Sequence, residues 1–186
     1  MYDTFLPGHY FHVYNHANGK DDLFKEEANY FYFLKLLTKY IYPIAHVYSY
    51  CLLPNHFHLF LRIRIDIDSD SQVKLYKNQQ FSNFFNSYTK SFNLNYKRYG
   101  SLFNRPFKRK EITDDDYFTK LIHYIHFNPV VHGFIKKIDE WKFSSYNAII
   151  SEKKSLVERE NVLEWFGGKE RFIEFHQWHP TIDFEI

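Results

Sequence analysis

Two histidines, His56 and His58, sit in the run Leu53-Pro54-Asn55-His56-Phe57-His58-Leu59-Phe60-Leu61-Arg62-Ile63-Arg64. At the strand period of two, this run separates into two faces. Phe57, Leu59, Leu61, Ile63 and Ile65 share one, which is a core face. His56, His58, Phe60, Arg62 and Arg64 share the other. Imidazoles at i and i+2 of a strand stand roughly 7 Å apart at Cα and can converge on one metal ion. The two guanidiniums further along can hold phosphate. A strand whose polar face simply meets water produces the same alternation, so spacing alone leaves both readings open.

A second chemical signal lies at Tyr96-Lys97-Arg98-Tyr99-Gly100-Ser101-Leu102-Phe103-Asn104-Arg105-Pro106-Phe107-Lys108-Arg109-Lys110. Lys97, Arg98, Arg105, Lys108, Arg109 and Lys110 alternate there with Tyr96, Tyr99, Phe103 and Phe107. Cations neutralise phosphates and rings stack on bases, so the segment suits a nucleic-acid strand. The competing reading is an edge strand kept soluble by Lys and Arg. The first is favoured because this is the densest basic segment in a chain of net charge +2.

The elements that must position these groups follow from the rest of the chain. His9 to Asn15 reads as a first strand, closed by a turn at Asn18-Gly19. A helix follows from Asp21-Asp22 to about Tyr40, with Phe24, Ala28, Phe31, Leu34 and Leu37 as its apolar stripe. Ile44 to Leu52 is a second strand, and the His56 run a third. Asp66 to Gln72 is an exposed loop. Val73 to Tyr96 is a long helix carrying the stripe Phe81, Phe84, Phe85, Tyr88 and Phe92. Thr113-Asp114-Asp115-Asp116 resembles a capping box that starts a helix, and Pro129 predicts its end at about Asn128. In that helix Phe118, Leu121, Ile122 and Ile125 form the core stripe, while Tyr117, Tyr124 and Asn128 fall beside it and His123 and His126 on the far side. If the helix borders the histidine pair, Tyr124 and Asn128 point there together. A half-buried tyrosine and a helix C-cap are their ordinary alternatives. Trp141 and Phe143 anchor the next segment. Leu156–Phe166 and Phe172–Trp178 are short helical pieces, with His176 and His179 at the surface.

At 186 residues, with 45% hydrophobic and 25% charged residues, the chain is one globular domain and is not disordered. A single cysteine, Cys51, excludes an internal disulfide framework and fits a reducing compartment. No apolar run approaches a membrane span and the N-terminus lacks a signal-peptide pattern, so a cytoplasmic protein is expected.

Taken together these residues resemble the single-tyrosine HUH transposases, and most closely the REP-associated tyrosine transposases. His12-Val13-Tyr14-Asn15 with Gly19 and Phe24 is similar to the family's first strand and turn, and Leu53-Pro54-Asn55-His56-Phe57-His58-Leu59 to its His-hydrophobic-His signature. Gly100 to Lys108 resembles its basic strand, and Tyr124-Ile125-His126-Phe127-Asn128-Pro129-Val130 its nucleophile block. Trp141 to Tyr146 is similar to its closing block. Order and spacing agree over roughly residues 8 to 147, giving a domain at 1–147 and a helical appendage at 148–186. The resemblance implies an α+β, ferredoxin-like antiparallel sheet with helices on one face and the active site on the other. It implies His56 and His58 as ligands of Mg²⁺ or Mn²⁺, Tyr124 as nucleophile and Asn128 as third ligand. Imidazole donors favour Mn²⁺ or Zn²⁺ over Mg²⁺. Arg62, Arg64 and the six cations of the basic segment become DNA contacts.

The substrate so implied is single-stranded DNA bearing a hairpin, nicked through a 5′-phosphotyrosine and open to rejoining. A homodimer, with Tyr124 serving either subunit, stays open. Asn128 departs from the Gln found in the better-known insertion-sequence enzymes, and Val131-His132 from the usual Arg-Ala. The alternative function is a domesticated, non-catalytic DNA- or RNA-binding protein that keeps the fold. A water-activating hydrolase at the same histidine pair is a further rival, and it would leave no protein–DNA adduct.

Overall fold

The computed structural model describes residues 4–65 and 71–178. Four strands form one antiparallel sheet: β1 (Tyr10–His16), β2 (Ala45–Leu53), β3 (His56–Ile63) and β4 (Lys108–Ile112), in the order β2-β3-β1-β4. With α1 (Glu27–Tyr40) between β1 and β2, and α2 (Ser71–Asn95) between β3 and β4, this is the βαββαβ ferredoxin-like arrangement. The helices α3 (Asp116–Val131), α4 (Tyr146–Ile150), α5 (Arg159–Phe166) and α6 (Lys169–Trp178) follow.

The alternation in β3 builds two layers. Phe57, Leu59, Leu61 and Ile63 are all fully buried, and they meet α1 and α2 through an aromatic core. Phe33 of α1 stands 5.2 Å from Phe57 and 4.7 Å from Phe84, ring centre to ring centre. The other face of β3 does not meet water. Phe60 packs on Phe118 at 5.1 Å and His58 on Tyr124 at 5.5 Å, so α3 covers it. Thus α1 and α2 occupy one face, and the helix bearing the tyrosine crosses the opposite one.

Several local expectations shift. Helix α1 begins at Glu27, later than Asp21-Asp22, because the Leu23 and Phe24 N–H groups both donate to the Pro54 carbonyl and tie the chain to the β2–β3 turn. Its stripe is rephased accordingly. Asn29, Tyr30, Phe33, Leu36 and Leu37 face inward, whereas Phe31 is half exposed. The loop expected at 66–72 lies outside the described residues as far as 70, and α2 starts at Ser71. The basic segment is a strand only over Lys108–Ile112. Helix α3 starts after Asp115, which makes no side-chain cap bond, in place of a capping box at Thr113. It then runs through Pro129 to Val131, losing one N–H and resuming with the His132 N–H on the Asn128 carbonyl. Packing of α3 on both sides outweighs the local bias of the residue before proline.

The segment after α3 is anchored by aromatics as the sequence predicts. The Trp141 indole donates to the Leu52 carbonyl at 3.0 Å, and Phe143 stacks on Tyr30 at 3.9 Å. The Ser145 N–H donates to the Tyr50 carbonyl at 2.9 Å. The tail then folds over the outer side of α3. His176 is buried there and not at the surface, while His179 lies outside the described residues. His176 Nδ1 donates to the Phe172 carbonyl (2.8 Å), and its Nε2 accepts from His126 Nδ1 (3.0 Å). The Ser145 hydroxyl in turn donates to His126 Nε2 (2.7 Å). One proton per ring satisfies the whole chain.

Burial, relieved in part by the Phe172 carbonyl and deepened by His123, pushes the His176 pKa down to about 3. The folded protein therefore binds fewer protons than the unfolded chain between the ordinary value near 6.5 and that lower limit. Stability should be fully present above about pH 6.5 and fall as pH drops toward 3. Thermal melts from pH 7 to pH 4 check this: the slope should be shallower for His176→Gln than for the native chain, and equal slopes would refute it.

Candidate catalytic cleft

Strand register brings the site together. Across the α3-covered face, Tyr14 of β1 pairs with His58 of β3, and His16 pairs with His56. Lys108 of β4 pairs with Tyr14, and Lys110 with His12. The resulting cleft, about 200 Å³ in volume, is lined by Tyr14, His16, His56, His58, Lys108, Tyr124, Asn128 and His132. So Tyr124, Asn128, His56 and His58 share one cavity.

Each ligand candidate is held. His56 and His58 are both 2% exposed. The Nδ1 of His56 lies 2.7 Å from Asn55 Oδ1, which leaves its Nε2 directed at Asn128 Oδ1, 3.2 Å away. His58 Nδ1 lies 2.9 Å from Nε2 of His12. Asn128 also donates from its amide to the Tyr124 carbonyl at 3.3 Å, tying the two side chains to one turn of α3. The Tyr124 ring meets His58 edge-to-face at 84°. His16 stacks on His56 at 4.6 Å, and His132 approaches His56 at 4.9 Å.

The electrostatics keep these rings neutral. Burial lowers the His56 pKa to about 4; the contact with the Asn128 amide oxygen opposes the shift, and the neighbouring His16 and His132 deepen it. Burial and then His12, His56, His16 and His132 hold His58 well below its usual value. His12 falls to about 3 through burial and the Lys110 charge. His16 is lowered by burial, Lys108 and His132. Tyr124 moves the other way: burial raises its pKa, partly offset by a hydrogen bond with Asn128.

Neutral imidazoles are the form that binds a metal. Two donors on one ion, with bonds about 2.1 Å long, stand roughly 3.0–3.4 Å apart, and His56 Nε2 and Asn128 Oδ1 meet that spacing. Among the described residues no three His, Cys, Asp or Glu side chains converge to hold a metal ion. The metal-binding donors that the cleft offers are two imidazoles, His56 and His58, and the amide of Asn128.

The predicted cations divide. Lys108 borders the cleft, its ammonium 5.5 Å from the Tyr14 ring, and exposed Lys110 shares that face of β4. Arg109 points to the other face, over Phe5 (4.9 Å) and Phe107. Arg105 and Lys97 are exposed, and Arg105 lines a groove of about 510 Å³ with Phe85, Asn86, Phe103, Asn104 and Phe107. Arg98 is taken up by Asp21, Asn93 and the carbonyls of Gly100 and Ser101. Arg62 donates to the Gly8 carbonyl and covers Tyr10, and Arg64 donates to the Tyr42 carbonyl. His12 and His16 have no role in the sequence reading. The alternation Tyr10-His12-Tyr14-His16 was their available signal, because it puts both rings on the histidine face of the neighbouring strand.

No helix of the described residues is long and apolar enough to cross a membrane. No family model matches the chain. It is 30% identical over 108 residues to a curated protein of Haemophilus influenzae named for REP-associated tyrosine transposases, a match covering 57% of this chain. The chain spans about three fifths (61%) of that relative's length. A solved REP-associated tyrosine transposase bound to a REP hairpin superposes with a TM-score of 0.56, at 17% identity, over 85% of this chain and 91% of the other. In sequence over part of its length, and in fold over most of it, the chain is thus similar to REP-associated tyrosine transposases, as its sequence blocks led one to expect.

Proposed function

We propose that the protein nicks single-stranded DNA beside a hairpin and transfers the strand through a covalent bond to Tyr124. The observation that carries this reading is the meeting of the Tyr124 ring with His58, 5.5 Å apart, in a cleft that also holds His56 and Asn128. The Tyr124 oxygen attacks the scissile phosphorus, the bond to the 3′-oxygen breaks, and the products are a 5′-phosphotyrosine and a free 3′-hydroxyl. His56, His58 and Asn128 would hold a divalent ion, which would supply Lewis acidity to the phosphoryl oxygens.

The chain's own groups supply the rest. Asn128, bonded to the Tyr124 carbonyl, fixes the pitch of the helix turn that presents the phenol. Burial raises the phenol's pKa, so its proton must leave as the oxygen attacks, and the departing 3′-oxygen gains one to become the hydroxyl. Lys108 at the cleft edge and Lys110 beyond it offset phosphate charge along the strand. Because the phosphotyrosine conserves the phosphodiester bond energy, a second 3′-hydroxyl can reverse the step and join a new end. The likeness to a hairpin-bound structure supports a hairpin substrate.

The test is incubation of the protein and Mn²⁺ with labelled single-stranded hairpins taken from the flanks of its own gene. A protein–DNA adduct that survives a denaturing gel is the expected result. Nicked DNA without adduct would instead point to water as nucleophile, and intact DNA to a binding protein.

A further inference from the structure

We propose that His12 is a positioning residue: it accepts the Nδ1–H of His58 and so holds His58 in the tautomer whose Nε2 lone pair faces the cleft. The inference rests on the metal-site reading above. A neutral imidazole carries one ring proton, and the nitrogen that binds an ion must be the one without it. The 2.9 Å contact between His12 Nε2 and His58 Nδ1 carries a single proton. With that proton on His58, its Nε2 is a donor to metal. With it on His12, His58 must hold its own proton at Nε2 and cannot ligate there.

The surroundings hold the His12 ring in place. It is 4% exposed, and its ring lies nearly parallel to both Tyr14 (4.7 Å, 25°) and His58 (5.2 Å, 19°). Strand pairing sets its height, since His12 lies opposite Phe60 and one pleat from the Tyr14–His58 pair. The second histidine has an equivalent support, because Asn55 Oδ1 takes the Nδ1 side of His56 at 2.7 Å. Both rings then direct Nε2 into the cleft. An orienting acceptor of this kind typically changes metal affinity 10- to 100-fold.

Isothermal titration with Mn²⁺ alone, free of DNA, reads the effect without any turnover. His12→Leu should weaken Mn²⁺ binding by about 10- to 100-fold, whereas His12→Gln, whose amide oxygen accepts in place of Nε2, should stay within about threefold of the native chain. A long-range proton–nitrogen spectrum of the native, metal-free protein should show His58 as the Nδ1–H tautomer, a reading that does not depend on any variant folding. Native affinity in His12→Leu, or a His58 ring protonated at Nε2, overturns the proposal. So does His12→Gln binding as weakly as His12→Leu, which would leave His12 only a packing role. If the native chain takes up no more Mn²⁺ than a His56→Ala, His58→Ala variant, the metal reading itself fails and takes this inference with it. Native uptake with an unaffected His12→Leu removes the inference alone.

Discussion

Tyr124→Phe is expected to abolish the covalent adduct completely and to lower strand cleavage by roughly 10³-fold or more, while hairpin binding stays near native strength. The substitution removes one oxygen from a half-buried ring whose body packs against His58. The ring contact survives, so fold and cleft shape are retained. What is lost is the oxygen proposed to attack and its hydrogen bond with Asn128, worth about 1 kcal/mol of stability. Gel-shift titration with a hairpin, run beside a denaturing-gel assay for adduct, separates the two properties. Cleavage persisting at native rate would move the nucleophile elsewhere. Tyr14 and water would then be the candidates, because both can reach the same cavity.

The joint replacement His56→Ala, His58→Ala should eliminate Mn²⁺-dependent stabilisation. In the native chain, an ion at one hundred times its dissociation constant raises stability by about 2.7 kcal/mol, which a thermal melt detects easily. The double variant should show no such rise and no cleavage. Both side chains are buried, so their truncation also costs packing against His12, His16 and Tyr124. The measurement is therefore the difference between melts with and without Mn²⁺ for each protein. A metal-induced shift of native size in the double variant would place the ion at another site.

The fold needs strands that alternate cleanly and helices with one apolar stripe, and most of the chain supplies both. Leu59 and Leu61 against His58 and Arg62 announce the two faces of β3, and Phe81, Phe84, Phe85, Tyr88 and Phe92 announce α2. The hinge points were less legible. Phe31 has the same helical spacing as a core residue, yet the tether of Leu23 and Phe24 to Pro54 rotates α1 and turns it outward. Pro129 carries a local signal to stop that long-range packing overrides.

For the site, the chain alone determined the chemistry available: a His-Phe-His strand, a tyrosine four residues before an asparagine, and cations set among rings. Those are properties of order and period, which a strand or helix converts directly into a shared face. Only the tertiary structure decided which groups meet. The register of β1 against β3 brings His12 and His16 to the pair, because partners 46 and 40 residues apart become neighbours solely through ladder hydrogen bonds. The packing of α3 across the same face turns Tyr124 and Asn128 toward it and encloses a polar surface that the sequence allowed to be wet. The fold also sends Arg98 to Asp21 and, through the β1–β4 ladder, Lys108 to the cleft, although both belong to one basic run. Charge and spacing are local, whereas the partner that satisfies each donor is chosen by the whole fold.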